Sequence, residues 1–274
     1  MRSKRYDFSG RTAVITGAAS GIGRALAAAL AACGTNLVLV DRNEAGLTET
    51  LHLVSGSRVR VTTHVLDLAD AAAIAAFPSR VLRDHGKIDV LINNAGVACG
   101  GLFEQIDERD FQWLFDINFW GVVRMSRAFL PHLRTSDDAL LVNVSSIFGI
   151  IAPPGQTAYA ASKFAVRGFS QSLRAELSGT NVSVILVHPG GVATSIAADA
   201  REPSSLSNEE RETHKRVWSK MLKMPPGQAA GIIVRGMENR KLRILVGDDA
   251  KIAALAERIA PVSYGKLLRL LNAR

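Results

Sequence analysis

The chain has 274 residues, with 33 Lys and Arg against 25 Asp and Glu, a net charge of +8, 47% hydrophobic residues and 21% charged ones. That much apolar surface excludes a largely disordered chain, and two cysteines, Cys33 and Cys99, are too few for a disulfide scaffold or a cysteine-rich zinc site. The length suits one large α/β domain or two smaller ones, and a reducing, cytoplasmic setting is expected.

In chain order, short apolar runs alternate with longer helical stretches. Arg11–Thr16 is the first expected strand, followed by a glycine-rich turn and the Ala/Leu helix Gly21–Cys33, which Gly34 ends. Asn36–Asp41 is the second strand, and a helix runs from Asn43 to about Val54. Arg58–Val65 alternates and is the third strand; helix resumes over Asp70–Asp84. Ile88–Ile92 is the fourth strand, and two helices fill Asp107–Leu133. Ala139–Val144 is the fifth strand, Thr157–Ser178 a long helix and Val182–Val187 the sixth strand. A polar stretch, Ser195–Met224, precedes the helix Gln228–Asn239 and the seventh strand Leu242–Val246; the remainder is amphipathic helix. There is no internal repeat and no low-complexity linker. The longest uncharged run, Ala139 to Ser162, holds Asn143, Pro153, Pro154, Gly155 and Gln156, so it does not read as a membrane span. Met1–Tyr6 is basic but leads into Asp7 and Gly10, not into an apolar signal core.

Strands alternating with helices imply a parallel sheet covered on both faces, with right-handed crossovers. Ligands of such sheets bind at the carboxyl ends of the strands, so the informative residues are those just after each strand. After the first comes Thr16-Gly17-Ala18-Ala19-Ser20-Gly21-Ile22-Gly23, three glycines joining a strand to a helix N-terminus. Glycine there permits a tight turn and lets a pyrophosphate approach backbone N–H groups, though a plain turn has the same composition. After the second strand comes Asp41, eighteen residues beyond Gly23, where a carboxylate accepts from ribose hydroxyls and repels a 2′-phosphate. That favours NAD, while Arg42 beside it keeps NADP open. Asp67 follows the third strand, placed to meet an adenine ring or to start the next helix. Asn93-Asn94-Ala95-Gly96 follows the fourth.

The strongest signal follows the fifth strand. Ser145 and Ser146 end it, and Tyr159 and Lys163 lie four apart on the next helix, which sets phenol and ammonium on one face. A neighbouring cation favours phenolate and lowers a tyrosine pKa that starts near ~10. A tyrosine so tuned exchanges a proton near neutral pH.

With these residues in place the chain resembles the short-chain dehydrogenase/reductase family. The resemblance rests on Thr16–Gly23, Asn93–Gly96, Asn118, Ser146, Tyr159-Ala160-Ala161-Ser162-Lys163 and Pro189-Gly190, and it covers about Phe8 to Val246. It implies a single doubly wound, Rossmann-type α/β domain with a seven-stranded parallel sheet in the order 3-2-1-4-5-6-7. It implies Tyr159 as general acid/base, Lys163 lowering its pKa and binding the nicotinamide ribose, and Ser146 holding the substrate oxygen, with Ser145 the less favoured neighbour. Asn118 resembles the asparagine that holds a water for a proton relay. The cofactor residues it implies are Gly17, Ser20, Gly21, Ile22, Gly23, Asp41, Arg42, Asp67, Leu68, Asn94, Ala95, Gly96, Tyr159, Lys163, Pro189, Gly190, Val192 and Thr194. The implied cofactor is NAD, with NADP not excluded, and the implied reaction is hydride transfer at a carbon bearing an alcohol or carbonyl oxygen. The partners expected are a small alcohol or ketone and further copies of the chain, as a homodimer or homotetramer packed through Asp107–Leu133 and Thr157–Ser178.

The six histidines are scattered without a ligand pair, so no metal is expected, and His188 reads as structural. Residues 195–226 stand where this family places a substrate lid. Val217, Trp218, Met221, Leu222 and Met224 lie there at helical spacing, either covering an apolar substrate or packing as a surface helix. Ile147, Phe148, Ile150 and Ile151 add apolar bulk and hint at a hydrophobic alcohol or ketone. Cys99 is either a sensitive thiol or inert packing. Residues 1–248 therefore read as the catalytic domain, and 249–274 as a helical extension packed on it and broken at Pro261. From Arg235 onward nine Lys/Arg face four Asp/Glu, so 9 − 4 = +5 of the +8 lies there. Such a tail suits an anionic membrane surface or is a solvated helix face; no nucleic-acid motif accompanies it. The rival readings are an NADPH-dependent carbonyl or acyl-thioester reductase and a non-catalytic dinucleotide-binding or membrane-associated protein.

Overall fold

The computed structural model describes residues 5–266 apart from 204, 208, 210, 211, 213–215 and 217–220. Seven strands form one parallel sheet in the order β3-β2-β1-β4-β5-β6-β7. The strands are β1 (Thr12–Thr16), β2 (Asn36–Asp41), β3 (Val61–Val65), β4 (Val90–Asn93), β5 (Ala139–Val144), β6 (Val182–Pro189) and β7 (Arg243–Val246). The expected order is the observed one. Strand β3 starts three residues later than expected and β6 runs two further, through His188 and Pro189, where it pairs with Leu245 and Val246.

Helices fill the connections. They are α1 (Gly21–Ala32), α2 (Glu44–Val54), α3 (Ala71–His85), α4 (Glu108–Phe115), α5 (Gly121–Leu133), α6 (Thr157–Glu176), α7 (Pro226–Glu238) and α8 (Asp248–Ile259). Local chemistry sets their ends. Asn43 and Asp70 cap α2 and α3 by accepting from Gly46 and Ala73 N–H groups, so these helices begin one residue later than expected. Gly86, at φ +74°, closes α3. Helix α7 begins earlier than expected because Pro226 suits a first helical turn, where its missing N–H costs nothing. The two helices expected over Asp107–Leu133 are joined without a break by a π turn, Asp116–Trp120. Helix α8 ends before Pro261, where the chain turns. Among the described residues no helix is long and apolar enough to cross a membrane.

Each central strand feeds both faces, because successive side chains point opposite ways. In β1, Ala13 and Ile15 join a core with Leu26 and Leu30 of α1 and Ile233 and Met237 of α7. Val14 joins the opposite core, with Phe77 and Val81 of α3 and Met125, Phe129 and Leu133 of α5. This two-sided burial explains why the strands read as unbroken Val/Ile/Leu runs. Phe129 meets Phe77 edge-on at 5.7 Å and ties α5 to α3. Truncating Phe129→Ala should cost about 3–5 kcal/mol of stability. Urea denaturation tests this as a lower midpoint at unchanged slope; a loss near zero would mean the two helices do not share a core.

Candidate active site

Because every strand is parallel, the turns after β1, β2, β4, β5 and β6 all open on one edge of the sheet. A cavity of about 720 Å³ lies along that edge, within the usual range for ligand pockets. Gly17, Ser20, Gly21, Ile22, Asp41, Arg42, Asp67, Leu68, Asn94, Ala95 and Gly96 line one part of it. Ser146, Ile147, Phe148, Tyr159, Lys163, Pro189, Gly190, Val192, Thr194 and Met221 line the rest. Gly23 and Asn118 are expected site residues that lie behind the wall. A Cβ on Gly23 would stand 2.0 Å from the Gly17 carbonyl oxygen, so Gly23 lets α1 close on the turn. Trp218 and Val217 lie outside the described residues.

The dinucleotide half is built from backbone. Gly17 has φ +67°, and a Cβ there would stand 2.8 Å from Ala95 Cα. The β1 and β4 turns therefore meet through bare backbone, and side chains lock them. Thr16 Oγ1 accepts from the N–H groups of Asn94 (3.0 Å) and Ala95 (3.1 Å), and Asn94 Nδ2 donates to the Thr16 carbonyl (3.0 Å). At the start of α1, the Ser20 side chain makes no capping bond and the first turn carries no acid. Its free N–H groups suit an anion such as a pyrophosphate. Asp41 accepts from the N–H groups of Ala19 (3.1 Å) and Asn43 (3.0 Å), which aims its carboxylate along the cavity. Arg42 is exposed at the rim. Asp67 accepts from Ala69 N–H and is exposed, leaving the cap of α3 to Asp70. These residues fit a dinucleotide.

The half that holds Ser146, Tyr159 and Lys163 is buried. Lys163 is 3% exposed; its Nζ donates to the Val144 carbonyl at 3.3 Å and lies 5.6 Å from the centre of the Tyr159 ring. Burial pushes the Lys163 pKa down to about 8. It pushes Tyr159 up to about 12, and a hydrogen bond with the Ser146 side chain offsets only part of that. The expected lowering of Tyr159 by Lys163 is thus overruled in the folded chain, because desolvation penalises both charged forms. Both Ser145 and Ser146 line the cavity, but Ser145 Oγ donates to the Lys163 main-chain carbonyl at 2.9 Å, which anchors the helix. Asn118 Oδ1 accepts from Val97 N–H (2.8 Å), and its Nδ2 donates to the Val97 carbonyl (2.9 Å) and to Ser162 Oγ (3.2 Å). Its side chain is therefore committed, and it sits in the π turn, a distortion common at functional sites.

Some contributors were not visible in the sequence. In the sequence Thr16 is legible only as part of a glycine-rich motif. His188 is fully buried, and its Nδ1 donates to the Ser146 carbonyl at 2.9 Å; burial holds its pKa at about 4, so the ring is neutral and supports the serine's backbone. Ile151, Ile196, Ile252 and Ala253 add apolar wall, whereas Ile150 packs beneath it. Ile252 and Ala253 come from α8, and Tyr264 Oη accepts from Ala152 N–H at 2.9 Å, so α8 and the turn after it pack against this end of the cavity; residues 267–274 lie outside the described residues. Residues 195–203 are tethered to Cys99 by a β-bridge with Arg201. Cys99 is buried with its thiol pushed up to about 11, which fits inert packing.

The family profile described as short chain dehydrogenase matches residues 11–205. Over 265 residues the chain is 40% identical to SadH of Mycobacterium tuberculosis, covering 96% of this chain and 95% of that one. A short-chain dehydrogenase/reductase from Burkholderia phymatum, solved in complex with NAD, superposes with a TM-score of 0.84 at 30% identity, over 92% of this chain and 94% of the other. A metagenomic short-chain oxidoreductase solved with NADP superposes with a TM-score of 0.71 at 29% identity, over 88% and 98%. The chain belongs to the short-chain dehydrogenase/reductase family and is an oxidoreductase.

A buried ammonium carries a stability cost. Lys163→Met should raise stability at pH 7 by about 3 kcal/mol, the worth of moving a pKa from 10.5 to about 8, while ending turnover. Between pH 8 and 10.5 the unfolded lysine holds a proton that the folded one has lost, so wild-type stability rises with pH there. The gap in Tm between variant and wild type should therefore narrow over that window. A constant gap would show that Lys163 is not desolvated.

Proposed function

We propose that the protein is an NAD-dependent oxidoreductase moving a hydride between nicotinamide and an apolar secondary alcohol or ketone, with Tyr159 as general acid/base. The convergence of Ser146, Tyr159 and Lys163 on the cavity that also carries the glycine cradle supports it best. Bound at that edge, the dinucleotide supplies or accepts the hydride. The protein's part is orientation and proton movement. In the reducing direction the Ser146 hydroxyl holds the carbonyl oxygen and Tyr159 Oη gives it a proton. Burial keeps Tyr159 neutral and able to donate at pH 7. Lys163 is largely protonated below pH 8 and offsets the phenolate left behind. In the oxidising direction the alcohol proton passes to the phenolate of Tyr159, the form that burial disfavours, so this direction gains as pH rises. Asn118 holds the Val97 backbone, in the loop after β4, beside them.

Asp41 supports NAD because its carboxylate lines the cavity just after β2, where it would accept from ribose hydroxyls and repel a 2′-phosphate. Exposed Arg42 supports the second reading, an NADPH-dependent carbonyl or acyl-thioester reductase. Ile147, Phe148, Ile151, Ile196, Met221 and Ile252 support an apolar substrate. Residues 1–248 serve as one catalytic domain with 195–226 as its lid. Trp120 at the end of the π turn before α5 and Phe164 on α6, 43% and 37% exposed, support a homodimer or homotetramer through the helices Asp107–Leu133 and Thr157–Ser178.

Tyr159→Phe should lower turnover of apolar secondary alcohols by about 10²–10⁴-fold while NADH affinity stays within twofold. Wild-type activity in that variant would end the mechanism. Asp41→Ala should narrow the NADH-to-NADPH affinity ratio by roughly tenfold, the scale of one charge-assisted contact. An unchanged ratio would remove Asp41 from cofactor choice.

A further inference from the structure

The C-terminal extension has a defined contact with the loop after β6. Asp249 stands in the first turn of α8, and its Oδ2 accepts from Gly191 N–H at 2.6 Å, across 58 residues of sequence. The carboxylate sits in an enclosure of glycine backbone. A Cβ on Gly190 would stand 2.1 Å from Asp249 Oδ1, and one on Gly247 would stand 2.3 Å from it. Gly247 has φ +101°, which turns α8 so that Asp249 folds back onto the loop. Ala250 N–H donates to Asp249 Oδ1 at 2.9 Å and fixes the rotamer.

Gly191 is tied on its other side as well. Its carbonyl accepts from the N–H groups of Lys223 and Met224, both at 3.0 Å, and Ala193 N–H donates to the Met224 carbonyl at 2.8 Å. Gly190 N–H donates to the Val246 carbonyl of β7. The loop Pro189–Thr194 is thus strung between β7, the end of the 195–224 stretch and Asp249. Asp249 itself lines the cavity beside Gly190, Gly191 and Ile252.

We propose that Asp249 is a positioning residue for the Pro189–Thr194 loop, and that the C-terminal extension thereby sets how the nicotinamide end of the cofactor is held. The inference rests on the proposed dinucleotide function. The glycines at positions 190 and 191 offer no side chain to pack, so beyond the Gly190 N–H bond to Val246 this loop has no side-chain hold of its own at these two positions. A carboxylate from outside supplies the constraint, and its acceptor atom is the only part of the side chain that the Gly191 N–H needs. An amide oxygen in the same place does the same work, whereas a methyl does not.

The test compares NADH with ADP-ribose, which lacks the nicotinamide ring, by titration of wild type, Asp249→Ala and Asp249→Asn, with Tm recorded alongside. Asp249→Ala should weaken NADH binding about tenfold, the scale of a hydrogen bond to a charged group, and leave ADP-ribose within twofold. Asp249→Asn should restore NADH to within about threefold, since its Oδ1 still accepts. Equal weakening of both ligands, or none of either, would overturn the inference. If Asp249→Ala does not fold, Asp249→Glu carries the same comparison. Its longer arm does not fit the glycine enclosure, so an undiminished preference for NADH over ADP-ribose would overturn the inference. Wild-type protein that binds neither ligand would instead bring down the dinucleotide reading itself, and this inference with it.

Discussion

A parallel sheet ends all its strands on one edge, and that edge stays open only if the turns leaving it are held apart and in register. Here the hold is the Thr16 hydroxyl, which takes the N–H groups of Asn94 and Ala95 while Asn94 donates back to the Thr16 carbonyl. The β1 and β4 turns approach so closely that a Cβ on Gly17 would strike Ala95. The turn after β1 is thereby fixed with the start of α1 open to the cavity, and the one after β4 packs directly against it. The buried amides behind them extend the lock across the sheet. Asn93 Nδ2 donates to Asn143 Oδ1 at 2.8 Å, and Asn143 Nδ2 to Ser170 Oγ at 2.9 Å, which binds β4, β5 and α6 into one polar strut. Helix α6 is the one that carries Tyr159 and Lys163.

Burial is what gives those two residues their chemistry. The ammonium is pushed toward neutrality and the phenol away from ionisation, so each is held nearer the form it adopts after giving up, or before giving up, a proton. A solvated Tyr–Lys pair at the same spacing would keep ordinary values. The cost falls on stability, and the fold bears it with two dry cores of Val, Leu, Ile and Phe on either face of the sheet. Ser145 and His188, one bonded to the Lys163 carbonyl and the other to the Ser146 carbonyl, stop the site from relaxing to relieve that cost.

What the sequence disclosed follows from range. The glycine turn, the Tyr159–Lys163 pair and the alternation of strands and helices are local patterns, and they predicted a parallel sheet with its site at the strand ends; the strand order and most of the cavity wall followed from the family resemblance that those patterns carry. Helix ends were off by a residue or two where Asn43 and Asp70 act as caps outside the helix. Partners that meet only after folding were not legible. His188 lies 42 residues from Ser146 and Asp249 lies 58 from Gly191, and neither spacing carries a signature. The direction of the Tyr159 shift was also hidden, because charge proximity can be read from i, i+4 spacing whereas desolvation depends on everything packed around the ring.

The central claim is that this strand edge binds a nicotinamide dinucleotide through Asp41 and the glycine cradle. The most direct test is titration of the unmodified protein with NADH and, separately, NADPH, followed by quenching of tryptophan fluorescence and by thermal shift. The account predicts saturable binding of both, with NADH the tighter. Tighter NADPH binding would shift the anchoring role to Arg42 and contradict the assignment of Asp41, and binding of neither would contradict the site as a whole.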